Sequence, residues 1–493
     1  MDSYKHGTYG QIAGIGTKVA QQSQNVMVYV GTAPVHTVQG GAAHVNKPIL
    51  VQNMAEARKY FGYSDDWADY TLCEAMHVHL TLRGIGPLVL INVLDPTNCK
   101  AETGGTASIT PKNGRITLAG AESIVLDSVK VGEKTLGTDY TIEYDYTRQV
   151  IVITETVRGA LGSEAIEISY DCVDPSRVDG NTVIGASDGE GLNTGIHAIS
   201  NVFQSTGRIP SMLLCPGFSE TPDVHGAMIE CSHKINGHWD AYVYADMPLV
   251  DAEGAPITLA AAKEWKAANG YDQDNETVYF PMASGTDGQK YHLSVLAAAN
   301  LQQLLLAQDG IPYKTASNTE CGIIQNLFMG ADREGRVYDD QIINDCLNKN
   351  GIASAAYVGG HWVIWGAHSA SYNQEDGDGL NISEANRMML FHISNDFQYR
   401  RTPSIDKPMT QNDLRSIISE EQQHLDALVK NGALSFGEVQ MNASEDARSD
   451  LLSGDHSIVF NITTTPLAKS MTAIVRWTDE GLATYFANEG SAG

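Results

Sequence analysis

The chain has 493 residues, of which 42% are hydrophobic and 18% charged. Such a composition buries a substantial core and excludes intrinsic disorder, and the length accommodates about three domains. The formal net charge of -27, from 32 basic against 59 acidic residues, excludes binding to nucleic acid by phosphate neutralisation and suits a subunit kept soluble at high concentration.

No apolar run is long enough to span a bilayer, and the segment from Met1 to Val19 lacks the apolar stretch of a secretory signal. Assembly in a cytoplasm, without a membrane partner, is the expectation. The cysteines Cys73, Cys99, Cys172, Cys215, Cys231, Cys321 and Cys346 are odd in number and include no CxxC pair. They predict neither a disulfide framework nor a structural zinc site, but reduced and mainly buried thiols.

Residues 1–20, glycine-containing and polar, cannot build a core and read as an extended arm. An α/β core over 21–99 starts with the strand Val26 to Val30. The strand Pro48 to Val51, helices near Ala55 to Phe61 and Ala68 to Leu82, and the strand Leu88 to Leu94 follow. Uninterrupted apolar runs of this kind suit strands covered on both faces.

From about Lys100 the pattern changes to alternation: Tyr140, Ile142 and Tyr144 share one face, as do Ile166, Ile168 and Tyr170. Residues 100–178 therefore read as an inserted, all-β, sandwich-like domain. The α/β rhythm resumes over 179–350. Strands Met212 to Leu214, Ala241 to Tyr244 and Thr277 to Phe280 alternate with helices over 222–235 and 258–269, and a long helix runs near Tyr291 to Gln308. That rhythm implies parallel pairing within one discontinuous domain.

An α+β domain is expected over 351–478, followed by a C-terminal arm over 479–493. One helix near Ser383 to Arg400 carries Met389, Ile393 and Phe397 at four-residue spacing. A second starts at Thr410, three residues before Asp413 as in a capping box. Its apolar stripe is Leu414, Ile417, Ile418, Leu425, Leu428 and Val429, and it stops at Gly432. Ser457 to Ile462 and Met471 to Trp477 read as two late strands.

Motifs that carry chemistry are few. Gly185-Ala186-Ser187-Asp188-Gly189 matches GxSxG, and the pair Val183-Ile184 before it favours a nucleophile elbow. The polar run from Glu190 to Gly195, however, delays the helix that such an elbow needs, so a glycine-rich loop is the better reading. Cys73 and His77 stand four apart on a helix, with His79 turned aside, and no third ligand completes a zinc set. Glu375 to Gly379 lacks the spacing and terminal glutamate of a calcium loop. Gly285 to Lys290 is not a phosphate-binding loop, which argues against nucleotide hydrolysis. No cofactor is expected. The cluster Arg387, Arg400, Arg401 and Lys407 reads either as a helix C-terminus complemented by cations or as a contact for an acidic partner.

Taken in order, several stretches resemble the contractile tail sheath family of phages and phage-derived injection machines. Tyr4 to Gly16 is similar to the family's N-terminal arm. Pro210-Ser211-Met212-Leu213-Leu214-Cys215-Pro216-Gly217, with Gly195 to Ile199 before it, resembles a family strand and loop. Tyr338 to Gly351 followed by His361 to Ser371 resembles the passage ending in "vwGaRT", and Asn386 to Met389 and Leu425 to Leu434 resemble its two C-terminal helices. Two departures are His368, where the family tends to arginine, and the pair Arg400-Arg401 at the end rather than the start of its helix.

The resemblance covers everything except the β insertion. It implies a non-enzymatic virion tail subunit, assembled in the host cytoplasm as a helical homo-oligomer of six-fold rings around an inner tail tube protein. Baseplate and tail terminator proteins are the other implied partners. Tyr4, Tyr9, Ile12 and Ile15 at one end, and Ile474, Val475, Trp477, Leu482, Tyr485 and Phe486 at the other, become candidate inter-subunit arms. Arg387, Arg400, Arg401 and Lys407 become candidate tube contacts. The competing classes are a hydrolase using Ser187 and a virion adhesin using the β insertion.

Overall fold

In the computed structural model, which describes residues 24–333, 336–374, 383–442 and 454–480, the apolar runs become the inner strands of one large sheet. Asn25–Gly31 (β1), Ile49–Val51 (β2) and Leu88–Asn92 (β3) precede the insertion. Ile209–Leu214 (β10), Tyr242–Asp246 (β11), Glu276–Tyr279 (β12), Ile352–Val358 (β16) and His361–Trp365 (β17) follow it. The order is β17-β16-β12-β11-β10-β1-β3-β2. Neighbours pair parallel except at the two margins, β2 with β3 and β16 with β17, which are antiparallel. A mixed α/β fold is thus present, as the sequence predicts.

A parallel sheet needs helices on both faces. In β11, Tyr242, Tyr244 and Asp246 point to one face, where Tyr244 meets Glu384 of the helix Glu384–Arg401 (α9) and Asp246 meets Ser294 of the helix Leu293–Ala307 (α7). On the other face Glu276 of β12 meets His225 of the helix Pro222–Ser232 (α5) at 2.5 Å.

Between β3 and β10 lie Gly105–Ile109 (β4), Arg115–Leu118 (β5), Lys130–Val131 (β6), Tyr140–Asp145 (β7), Val150–Glu155 (β8) and Ile166–Tyr170 (β9). They form two three-stranded sheets, β4-β9-β6 and β5-β8-β7, which share a core of Ile116, Leu118, Val131, Tyr140, Ile151, Ile153 and Ile168. That core is separate from the one around the large sheet. A third small sheet joins Met282–Gly285 (β13), Lys290–Tyr291 (β14) and Ile324–Phe328 (β15).

Several helices are shorter than the periodicity predicts. The helix expected over Ala68 to Leu82 starts only at Leu72 and widens into π-helix over Met76–Leu82. Its start is set by Thr71, whose N–H donates to the Thr32 hydroxyl and which thereby ties the chain to the end of β1. The wide turns hold His79, whose ring nitrogens meet Tyr29 Oη at 2.7 Å and Gln302 Oε1 at 2.6 Å. The stretch 222–235 stops at Ser232, where the chain turns through Lys234 to Trp239. The stretch 258–269 is helical only over Ala262–Ala268 (α6).

The two halves of the passage Tyr338 to Ser371 meet through side chains. Trp365 Nε1 donates to Asn344 Oδ1 at 2.8 Å, and the Asn348 amide donates to the carbonyls of Ile352 and Trp365 at 3.0 Å. Gly366, at φ 128°, leaves room for that amide, since a Cβ there would lie 2.7 Å from Asn348 Nδ2. His368 stacks on Tyr372 at 3.8 Å.

Compact units divide between Pro408 and Met409. The α+β region expected over 351–478 therefore has its first two strands in the large sheet. The second unit holds the helix Gln411–Lys430 (α10) and the antiparallel strands Leu434–Met441 (β18) and Ile458–Thr464 (β19). The capping box is formed: Thr410 accepts from Asp413 N, and Asp413 accepts from Thr410 N. Leu414, Leu425 and Leu428 of the predicted stripe are buried, with Ile417, Ile418 and Val429 at its half-buried margin.

Candidate functional site

The segment after β19 is the largest departure from the predicted elements. Met471 to Trp477, expected as a strand, has no regular structure. A strand needs a partner edge to satisfy its N–H and C=O groups, and among the described residues none pairs with this segment. Its side chains stand in solvent, with Met471 at 92%, Val475 at 91%, Trp477 at 84% and Ile474 at 76% exposure. The stretch thus leaves four large apolar side chains unburied. Within the same unit the Gln422 amide takes up main-chain groups of β18, accepting from Val439 N at 2.8 Å and donating to Gly437 O at 2.9 Å. Tyr4, Tyr9, Ile12, Ile15, Leu482, Tyr485 and Phe486 lie outside the described residues.

The four candidate cations are not equivalent. Arg387 is bound to Asp274 at 2.7 Å and lies over the Phe391 ring, 5.3 Å from its centroid. Arg400 pairs with Asp396 one turn back at 2.8 Å. Arg401 is half-buried and Lys407 exposed. Partly exposed pairs of this kind are worth about 0–1 kcal/mol.

Ser187 sits in an exposed loop. The residues before it form a short helix, Gly180–Ile184 (α3), instead of the strand of an elbow, and Asp188 folds the loop by accepting from Glu190 N and Leu192 N. Among the described residues no histidine bonds to its hydroxyl, whose Oγ lies 3.4 Å from Gly189 N. Cys73 is buried and its Sγ accepts from Ser64 N, while burial pushes its thiol up to about 12. His77 packs on Trp67, and among the described residues no group of three metal-ligating side chains forms. Glu375 to Gly379 lies outside the described residues.

A buried polar network at the carboxyl ends of the parallel strands escaped the sequence reading. His292, preceding α7, bonds Glu74 Oε2 at 2.5 Å through Nδ1 and Glu220 Oε1 at 3.0 Å through Nε2, and its N–H donates to Glu74 Oε1. Burial opposes charge on His292, yet Glu74 and Glu220 outweigh it and hold the imidazole well above its usual pKa. Beside it Asp246 accepts from Ser294 N at 3.1 Å, and burial lifts its carboxyl to about 7. The available signals were a carboxylate closing the apolar run Tyr242 to Asp246 and a histidine opening an apolar helix. The network fastens α7 to β11 and to the helix Leu72–Ala75 (α2), so its role is to hold the fold.

No protein-family model matches the chain. The tail sheath protein of Burkholderia phage BcepMu is 22% identical over 497 residues, spanning 98% of each chain. The sheath of an extracellular contractile injection system, the PVC sheath complex in its contracted state, has a similar structure, with a TM-score of 0.54 and 10% identity over 98% of this chain and 99% of that one. The sheath tail protein of Desulfitobacterium hafniense scores 0.49 at 11% identity, over 93% of this chain and 100% of its own. The chain is thus similar from end to end to a phage tail sheath protein and shares the fold of an injection-system sheath, in agreement with the resemblance carried by its ordered motifs.

Proposed function

We propose that the chain is the structural, non-enzymatic subunit of a contractile tail sheath. Subunits polymerise helically, as six-fold rings around an inner tube, between a baseplate and a tail terminator. Contraction then drives the tube through a cell envelope on stored conformational energy, without nucleotide hydrolysis. The end-to-end match to a phage tail sheath protein carries this reading.

Physical arguments support it. Identical head-to-tail contacts that do not close generate a helical filament. An apolar segment standing in solvent, such as Met471 to Trp477, suits addition to a sheet edge of another subunit, which gives directional main-chain bonding while leaving a hinge. Tyr4, Tyr9, Ile12 and Ile15, with Leu482, Tyr485 and Phe486, belong to the same proposal. Contraction requires two packings of one subunit, the extended one metastable. In this scheme Arg387, Arg400, Arg401 and Lys407 face the tube, and the β insertion lies outermost.

Negative-stain microscopy of the purified full chain at high concentration tests the reading. Long, wide tubes are expected, and persistent monomers would overturn it.

A further inference from the structure

Helix α9 begins with a carboxyl group that, among the described residues, pairs with no cation. Glu384 follows the N-cap Ser383 and is fully buried. Tyr244 of β11 donates its hydroxyl to Oε1, the Ala316 N–H lies near enough to favour the charged carboxyl, and among the described residues Oε2 has no hydrogen-bond partner. The Tyr279 hydroxyl of β12, on a ring 5.1 Å from that of Tyr244, faces the Tyr244 hydroxyl.

The ionisable groups facing Glu384 are Tyr242 and Tyr244 from β11 and Tyr279 from β12. In the neighbouring segment His368 is stacked on Tyr372, and one turn along α9 the Arg387 guanidinium is held by Asp274. Burial, offset only by the Tyr244 and Ala316 donors, lifts the Glu384 carboxyl to about 7.

The far end of α9 is held differently. Asn395 exchanges two hydrogen bonds with the Asp240 main chain, at 2.8 and 3.1 Å, and Gln398 donates to His238 O at 2.9 Å. These amide contacts do not titrate. Between them and the first turns lie His392, whose Nδ1 is 3.3 Å from the Asn25 amide, and Phe391, against the His233 ring. A change of charge at Glu384 therefore bears first on the turns nearest it.

We propose that Glu384 is a proton-operated latch on α9. With its carboxyl neutral, the helix seats its first turns on the Tyr244–Tyr279 face of the sheet; when the proton passes to solvent, the resulting carboxylate is left buried without a cation and those turns release. The docked state holds the proton more tightly than the released state. Docking therefore weakens as pH rises from the ordinary glutamate range to about 7, and is level on either side of that window.

Hydrogen exchange of the full-length protein between pH 5 and 8, corrected for the chemical exchange rate, tests the latch. In the wild type, protection over 384–391 is expected to fall on the order of a hundredfold more than over 395–401, and in Glu384→Gln the two stretches should change together. Should Glu384→Gln fail to fold, Tyr244→Phe serves instead: it removes a donor that favours the charged form, so the window moves to higher pH. Equal loss of protection along α9 in the wild type, a wild-type pH response retained by Glu384→Gln, or an unmoved window in Tyr244→Phe would each overturn the proposal.

Discussion

Gly437 of β18 lies directly under Leu425 of α10: a Cβ added at 437 would stand 2.9 Å from the Leu425 Cβ. The contact lets the helix lie close enough for the Gln422 amide to reach the main chain of β18 on either side of Glu438. Gly437→Ala should overpack the site and destabilise the second unit by about 1–3 kcal/mol. Gln422→Ala should cost about 1 kcal/mol through two lost hydrogen bonds. Because Leu425 Cδ1 would stand 3.0 Å from the added Cβ and is removed in alanine while the Leu425 Cβ stays, Leu425→Ala should relieve part of the clash and be less harmful in the Gly437→Ala background than alone. Hydrogen exchange over 425–441 in a double-mutant cycle measures that coupling.

His292 stands between Glu74 and Glu220 as their common cation. His292→Ala leaves two carboxyls facing each other without it and should destabilise the first unit by about 3–5 kcal/mol. His292→Gln, which keeps one donor, should lose less. Thermal unfolding followed by circular dichroism distinguishes the two variants.

Asp246 adds a pH dependence of definite sign. Its folded-state pKa, raised to about 7, means that the native state holds a proton the unfolded chain releases near 4. Its contribution is therefore complete at low pH and is lost as pH rises through about 7. Asp246→Asn should flatten the fall in melting temperature between pH 4 and 7, and an unchanged slope would exclude Asp246 as its source.

Thiol reactivity should follow burial. Cys73, Cys215 and Cys321 are enclosed, and burial raises all three thiols, Cys321 to about 11. Cys231, though half-buried, has its thiol raised to about 11 by burial and belongs with them, whereas Cys172 and Cys346 form a second, half-buried group. Mass spectrometry after brief treatment of the native protein with iodoacetamide should find label confined to the second group, since the thiolate is the reactive species.

The proposed assembly residues make two separable predictions. Val475→Asp with Trp477→Glu should leave folding stability within about 0.5 kcal/mol, because both side chains are exposed, yet abolish tube formation in the electron microscope. Charge reversal at Arg387, Arg400, Arg401 and Lys407 should prevent assembly on the inner tube. Tube-bound assembly that survives all four changes would sink the assignment of that surface.

Periodicity was a good guide wherever one local interaction decides an element. The apolar runs announced buried parallel strands, and Thr410 with Asp413 announced the start of α10, because capping is settled within one helical turn. It failed at Ala68 to Leu82, where Thr32 and Thr71 set the helix start across 39 positions of sequence. It failed again at Met471 to Trp477, whose composition suits a strand but whose pairing partner is not encoded locally.

By itself, then, the sequence determined the types of most elements and the order of motifs. Those features depend on side-chain periodicity and short-range hydrogen bonding. Only the tertiary structure decided that Glu384 is enclosed by Tyr244 and Tyr279, that His292 gathers Glu74 and Glu220, and that the apolar terminal segment stands in solvent. Burial and charge pairing join residues far apart in the chain, and their energies depend on a surrounding dielectric that no local window contains.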